Sequence, residues 1–86
     1  MVTTGSGSEL IVRKPRVQGG EPVIRGTRVP VRSIVIATQE YDGDLARVAH
    51  AFTIDEAAVR AALAYYERHT ADIDRSIWEH EQAALS

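Results

Sequence analysis

Arg13, Lys14, Arg16, Arg25, Arg28 and Arg32 crowd the segment from residue 10 to 32, where Glu21 is the one acid. From residue 51 onward the balance reverses. Arg60, Arg68 and Arg75 stand there against Asp55, Glu56, Glu67, Asp72, Asp74, Glu79 and Glu81. The chain's formal charge is only −2, so its distribution carries the information. A basic front end suits phosphate oxygens, and an acidic back end suits a basic or apolar partner. Ordinary solvated charges are the plain alternative. Other chemistry finds little support. His50, His69 and His80 lack a metal-type i, i+4 spacing, and there is no cysteine. Asp42 and Asp44 sit at a helix junction where capping accounts for both, while Asp72 and Asp74 fall on different helix faces. Neither a phosphate-binding glycine loop nor a serine elbow is present. The reading is a binding protein with no catalytic residue, no metal and no cofactor.

The elements that must position these cations follow from pattern. Leu10-Ile11-Val12, Val23-Ile24 and Val29-Pro30-Val31 are short β-branched runs, with Gly26-Thr27 as a turn between the last two. Pro22 and Pro30 keep any strand short. Pro30 suits the first turn of a helix, along which Val31, Ile34, Val35 and Thr38 follow at helical spacing. Gly43 is a C-terminal cap candidate, and Asp44 is placed to cap a second helix with Leu45, Val48, Ala49 and Phe52 inward. Thr53-Ile54-Asp55-Glu56 reads as a capping box with Thr53 at the N-cap. It opens a third helix striped by Val59, Ala62, Leu63 and Tyr66, with a break expected near His69-Thr70. A last helix to about Gln82 carries Ile73, Ile77 and Trp78, with Leu85 beyond. That stripe suits core or dimer packing, and equally an anchor for another protein's groove.

Length allows one domain, small enough that pairing with a second copy is a common remedy for marginal stability. Residues 1–9 read as a flexible lead-in, 10–70 as the domain, and 71–86 as a helical tail. No run approaches the roughly 18 apolar residues of a membrane span, and the simplest localisation is the cytoplasm. The expected fold class is mainly α. It comprises a three-helix domain with a helix-turn-helix, a small N-terminal β-strand or hairpin, and a long C-terminal helix.

If such a domain binds double-stranded DNA, the candidate contacts are Arg13, Lys14, Arg16, Arg25, Arg28 and Arg32, with Arg47 and Arg60 from the helices. A strand-borne arginine pair, doubled by a homodimer, suits a β-ribbon in a groove. The acidic start of the third helix, Asp55-Glu56, argues against the simplest recognition-helix docking. Arg28 equally suits a structural ion pair with Glu21 or with an acid of the last helix.

The stretch Gly20-Glu21-Pro22-Val23-Ile24-Arg25-Gly26-Thr27-Arg28-Val29-Pro30-Val31 closely resembles the signature of the bacterial domain-of-unknown-function family numbered 433. Ala61-Ala62-Leu63-Ala64-Tyr65-Tyr66-Glu67-Arg68-His69, running to near Ile73-Asp74, is similar to that family's second signature. The resemblance spans about residues 10 to 75. It implies the homeodomain-like fold and a role as a VapB-type antitoxin partnered with a PIN-like ribonuclease toxin. Many members open the second helix with serine or proline after a glycine-containing turn; here Asp42-Gly43-Asp44-Leu45 holds that place. The expected function is therefore an antitoxin that binds such a toxin and its own promoter DNA. Ile73, Ile77 and Trp78 are the candidate toxin contacts. A stand-alone regulator, or an interaction module without DNA binding, are the rivals.

Overall fold

The structure is a computed structural model that describes residues 10–16 and 18–85. The lead-in expected over residues 1–9 lies outside the described residues. Two three-residue strands, β1 (Ile11–Arg13) and β2 (Pro22–Ile24), pair antiparallel with Ile11 opposite Ile24 and Arg13 opposite Pro22. Four α-helices follow among the described residues: α1 (Val31–Glu40), α2 (Leu45–Phe52), α3 (Glu56–Arg68) and α4 (Thr70–Leu85). The architecture is mainly helical with a small N-terminal hairpin.

The reversal expected around Gly26-Thr27 is present, but it leads only to a single bridge between Val23 and Pro30 rather than to a further strand. Ile24 N–H donates to the Val29 carbonyl, and Thr27 N–H to the Ile24 carbonyl, closing a tight turn through Arg25 and Gly26. Gly26 sits at φ 81°, the left-handed conformation that the third position of this turn demands. The Thr27 hydroxyl finishes it by donating to the Ile24 carbonyl at 2.8 Å and accepting from Val29 N–H at 3.0 Å.

The helix ends are set by specific bonds. After α1, Gly43 N–H reaches back to the Thr38 carbonyl and Asp42 N–H to that of Gln39, with Asp42 at φ 55° and Gly43 at φ 82°. This is the Schellman arrangement, so the glycine seen in the sequence sits one place beyond the first left-handed residue. Asp44 caps α2 by accepting from Arg47 N–H at 3.1 Å.

The capping box expected at Thr53 is not formed. Thr53 adopts φ 58°, ψ 48° and terminates α2, while Ile54 N–H bonds the Ala49 carbonyl. Asp55 is the N-cap of α3, without a side-chain cap bond. The end of α2 takes the threonine for itself, because its own last carbonyls also need donors. The expected break after α3 occurs at His69 (φ −136°, ψ 38°), and the Thr70 hydroxyl folds back onto the Tyr66 carbonyl at 2.9 Å.

The core is one cluster of Ile11, Ile24, Val31, Ile34, Val35, Ala37, Val48, Ala49, Ala58, Val59, Ala62 and Ile73. Helix α1 is the hub, packing on α2, α3, α4 and β2, while α3 also meets β1, α2 and α4. Alanines at 37, 49, 58 and 62 let these helices approach closely around the branched residues. Ile73 brings the start of α4 into this cluster, so the segment read as a tail begins as part of the body.

Candidate nucleic-acid interface

The sequence-derived cations separate into distinct environments. Arg32 leaves the exposed set. Its Nε donates to Glu21 Oε1 at 2.9 Å, with both side chains about one-fifth exposed. Glu21, one of the partners expected for Arg28, is therefore paired with Arg32, the second residue of α1.

Glu21 is a junction. Besides Arg32, its Oε1 accepts from the Ser76 hydroxyl at 2.9 Å, and Oε2 lies 3.2 Å from His80 Nε2. His80 Nδ1 approaches the Ser76 carbonyl at 2.8 Å. Ser76 and His80 are four apart on α4 and so project from one face onto the same carboxylate. Sequence reading singled out neither of them in this role; their i, i+4 spacing on an amphipathic helix was the available signal. Beside the junction lies a cleft of about 280 Å³, walled by Arg13, Gly20, Tyr65, Asp72 and Glu79 among others. Its lining is acidic on balance, with Glu21, Asp72 and Glu79 outnumbering Arg13, and no group of three or more potential metal ligands occurs among the described residues.

Arg13, Lys14, Arg16, Arg25 and Arg28 are exposed. Arg13 Nε donates to the Gly20 carbonyl at 3.0 Å, which steadies the loop joining the strands. Lys14 and Arg28 border a shallow groove whose floor includes Val12 and Val23. Strand alternation puts Val12 and Val23 on the face opposite Ile11 and Ile24, where Val12 is half-buried and Val23 is buried. Arg25 and Arg28 stand at the two ends of the loop 25–28, not on a strand as the ribbon expectation required.

On the helices, the Arg47 guanidinium lies 5.0 Å from the centre of the Tyr41 ring, a cation–π contact. Arg60 Nη2 is 3.0 Å from Glu56 Oε1, one turn earlier on α3. Both arginines are exposed. The outward positions of α3 also include Ala57 and Ala64, which offer no hydrogen-bond donors from their side chains.

The three candidate partner contacts on α4 part company. Ile73 is 3% exposed and belongs to the core, Ile77 is half-buried against it, and Trp78 is 60% exposed. Trp78 alone among them presents a large free surface. Tyr66, at the far end of α3, donates its hydroxyl to Asp74 at 2.8 Å. That bond, with lesser help from desolvation and the carboxylate's charge, raises the Tyr66 hydroxyl above the usual tyrosine range.

No helix among the described residues is long and apolar enough to cross a membrane. A search of curated proteins gives no match. A solved structure, the crystal structure at 2.00 Å of a DUF433 member protein from Anabaena variabilis, is 35% identical with a TM-score of 0.68. The alignment covers 79% of this chain and 67% of that one. The profile of the family described as "Protein of unknown function (DUF433)" matches residues 11–66, from β1 through most of α3. With both the hairpin and the first three helices inside that match, the chain belongs to the DUF433 family.

Proposed function

We propose that this protein is a DNA-binding antitoxin, with α2 and α3 as its helix-turn-helix. The observation that carries the DNA reading is the junction of those helices. An eight-residue α2 ends at a left-handed residue, Thr53, and three residues separate it from α3. That is the spacing of a helix-turn-helix, in which the turn often employs glycine for the same backbone conformation. Helix α1 contacts both, which supports reading the three helices as a homeodomain-like unit. Arg47 and Arg60 are exposed on α2 and α3, and the hairpin region carries further exposed cations. Such contacts position a protein on phosphates and make its affinity salt-dependent. The toxin half of the proposal is supported by the family signature and by α4, which carries exposed Trp78 amid acids beyond the family-matched residues. A PIN-like ribonuclease is the partner proposed, and pairing of two copies is proposed to present two half-sites.

The Glu56–Arg60 pair favours a second reading, an interaction module without DNA binding, because it neutralises a helix cation at the proposed recognition surface. Titration of the purified protein against its own upstream DNA at two salt concentrations separates the readings. Sequence-preferring binding that weakens with salt supports the antitoxin-regulator. Binding no better than to random DNA supports the interaction module. Co-purification with the product of the adjacent gene, followed by a ribonuclease assay, tests the toxin partner.

A further inference from the structure

We infer that the loop 25–28 enters the minor groove of DNA and distinguishes A·T from G·C pairs there, an assignment that rests on the DNA-binding reading above. Base reading by α3 is poorly provided for. Its first turn carries a carboxylate, its nearest arginine is tied to that carboxylate at 3.0 Å, and Ala57 and Ala64 supply no side-chain donors. The loop is better provided with exposed donors. It is short, it is held by backbone hydrogen bonds and by two more through the Thr27 hydroxyl, and it places exposed arginines at both ends. Among the described residues, a Cβ added at Gly26 would meet nothing within 4 Å, so none of them fills the space at the loop's tip.

Size selects the groove. The major groove, about 12 Å wide, takes a helix or a two-stranded ribbon, whereas the minor groove, about 6 Å wide, takes a narrow arm or single side chains. A single tight turn with arginine at each end matches the narrower one. Arginine is drawn there by the enhanced negative potential of narrow A·T-rich tracts, and the guanine 2-amino group both widens the groove and obstructs entry. Lys14 lines the same shallow groove as Arg28 and would meet a phosphate on one wall.

The test uses the full chain and three duplexes of equal length at one salt concentration, built from A·T, G·C and inosine·C pairs. An I·C pair has the major-groove face of G·C but lacks the minor-groove amino group. The expected result is that A·T and I·C duplexes bind alike, and about tenfold or more tighter than G·C. The double variant Arg25→Lys/Arg28→Lys keeps the charge and should bring all three affinities within about twofold, with circular dichroism unchanged. An I·C duplex that behaves like G·C would place the reading in the major groove and overturn the inference while sparing DNA binding itself. A preference untouched by the double variant would also overturn it. Failure to bind any duplex would overturn both this inference and the DNA reading.

Discussion

Ser76 on α4 donates to Glu21 at 2.9 Å across 55 positions of sequence. The same carboxylate oxygen holds Arg32 of α1 and its neighbour oxygen faces His80, so one side chain ties the loop before β2 to two helices. Removing it strands a guanidinium that is 17% exposed. Glu21→Ala should cost about 2 kcal/mol in urea unfolding, the scale of losing hydrogen bonds to a charged group that then lacks a partner. Glu21→Gln should cost less, because an amide oxygen still accepts from Ser76. Amide exchange should accelerate in the second half of α4 ahead of α1 and α3 in the alanine variant. Uniform acceleration would mean that the junction does not specifically hold α4.

Thr53 supplies a prediction of opposite sign. A β-branched residue at φ 58° is held in a conformation that costs a non-glycine residue roughly 1–2 kcal/mol. Its side chain is exposed, so little packing is lost on its removal. Thr53→Gly should raise stability by about 0.5–1 kcal/mol, after glycine's greater unfolded-state entropy is deducted. Thr53→Asn should gain somewhat less. A loss of stability in both variants would show that the α2 terminus does not hold the left-handed conformation.

That position also marks where sequence reading failed. Thr-Ile-Asp-Glu fits a capping box, and the string alone does not state which helix owns the threonine. The choice depends on whether the chain turns sharply enough after Phe52 for left-handed backbone, which the packing of α2 on α3 decides. By contrast, Asp44 was legible as a cap, since aspartate before a hydrophobic period has one local use there. The break at His69-Thr70 was legible for a similar reason, as threonine's hydroxyl can bond back to the preceding turn. Arg32 was misplaced because its partner lies on a loop whose contact with α1 no local pattern encodes. Ile73 and Trp78 share an apolar stripe in sequence, yet one is buried and the other exposed. They lie on different faces of α4, and only the face that α1 and α3 cover becomes core.

Trp78 then has a definite expectation. Being 60% exposed, it should tolerate Trp78→Ala with a stability change within about 0.5 kcal/mol. Binding to a toxin partner docked on α4 should fall at least tenfold, since exposed tryptophans are prominent binding hot spots. Ile73→Ala is the contrasting control and should cost about 2–4 kcal/mol through a cavity in the shared core. Calorimetric binding beside thermal unfolding for both variants separates contact from core. If Trp78→Ala melts the domain, α4 is anchored by that ring and the partner reading fails there.

Tyr66 gives the structure a handle on pH. Its hydroxyl donates to Asp74, and that bond, ahead of desolvation and the nearby negative charge, raises its pKa above the unfolded value of 10.0. The protonated form is thus favoured in the folded state. The stability it brings is fully present below pH 10 and is lost as pH rises through the higher folded-state value. The bond is exposed, so its contribution is small, but it joins α3 to α4 across the break at His69. Tyr66→Phe should remove this alkaline loss, as read by unfolding curves at neutral pH and above pH 10. An alkaline loss of equal size in the variant would assign it to other groups. The Tyr66–Asp74 bond would then play no measurable part in holding α4 at its angle to α3.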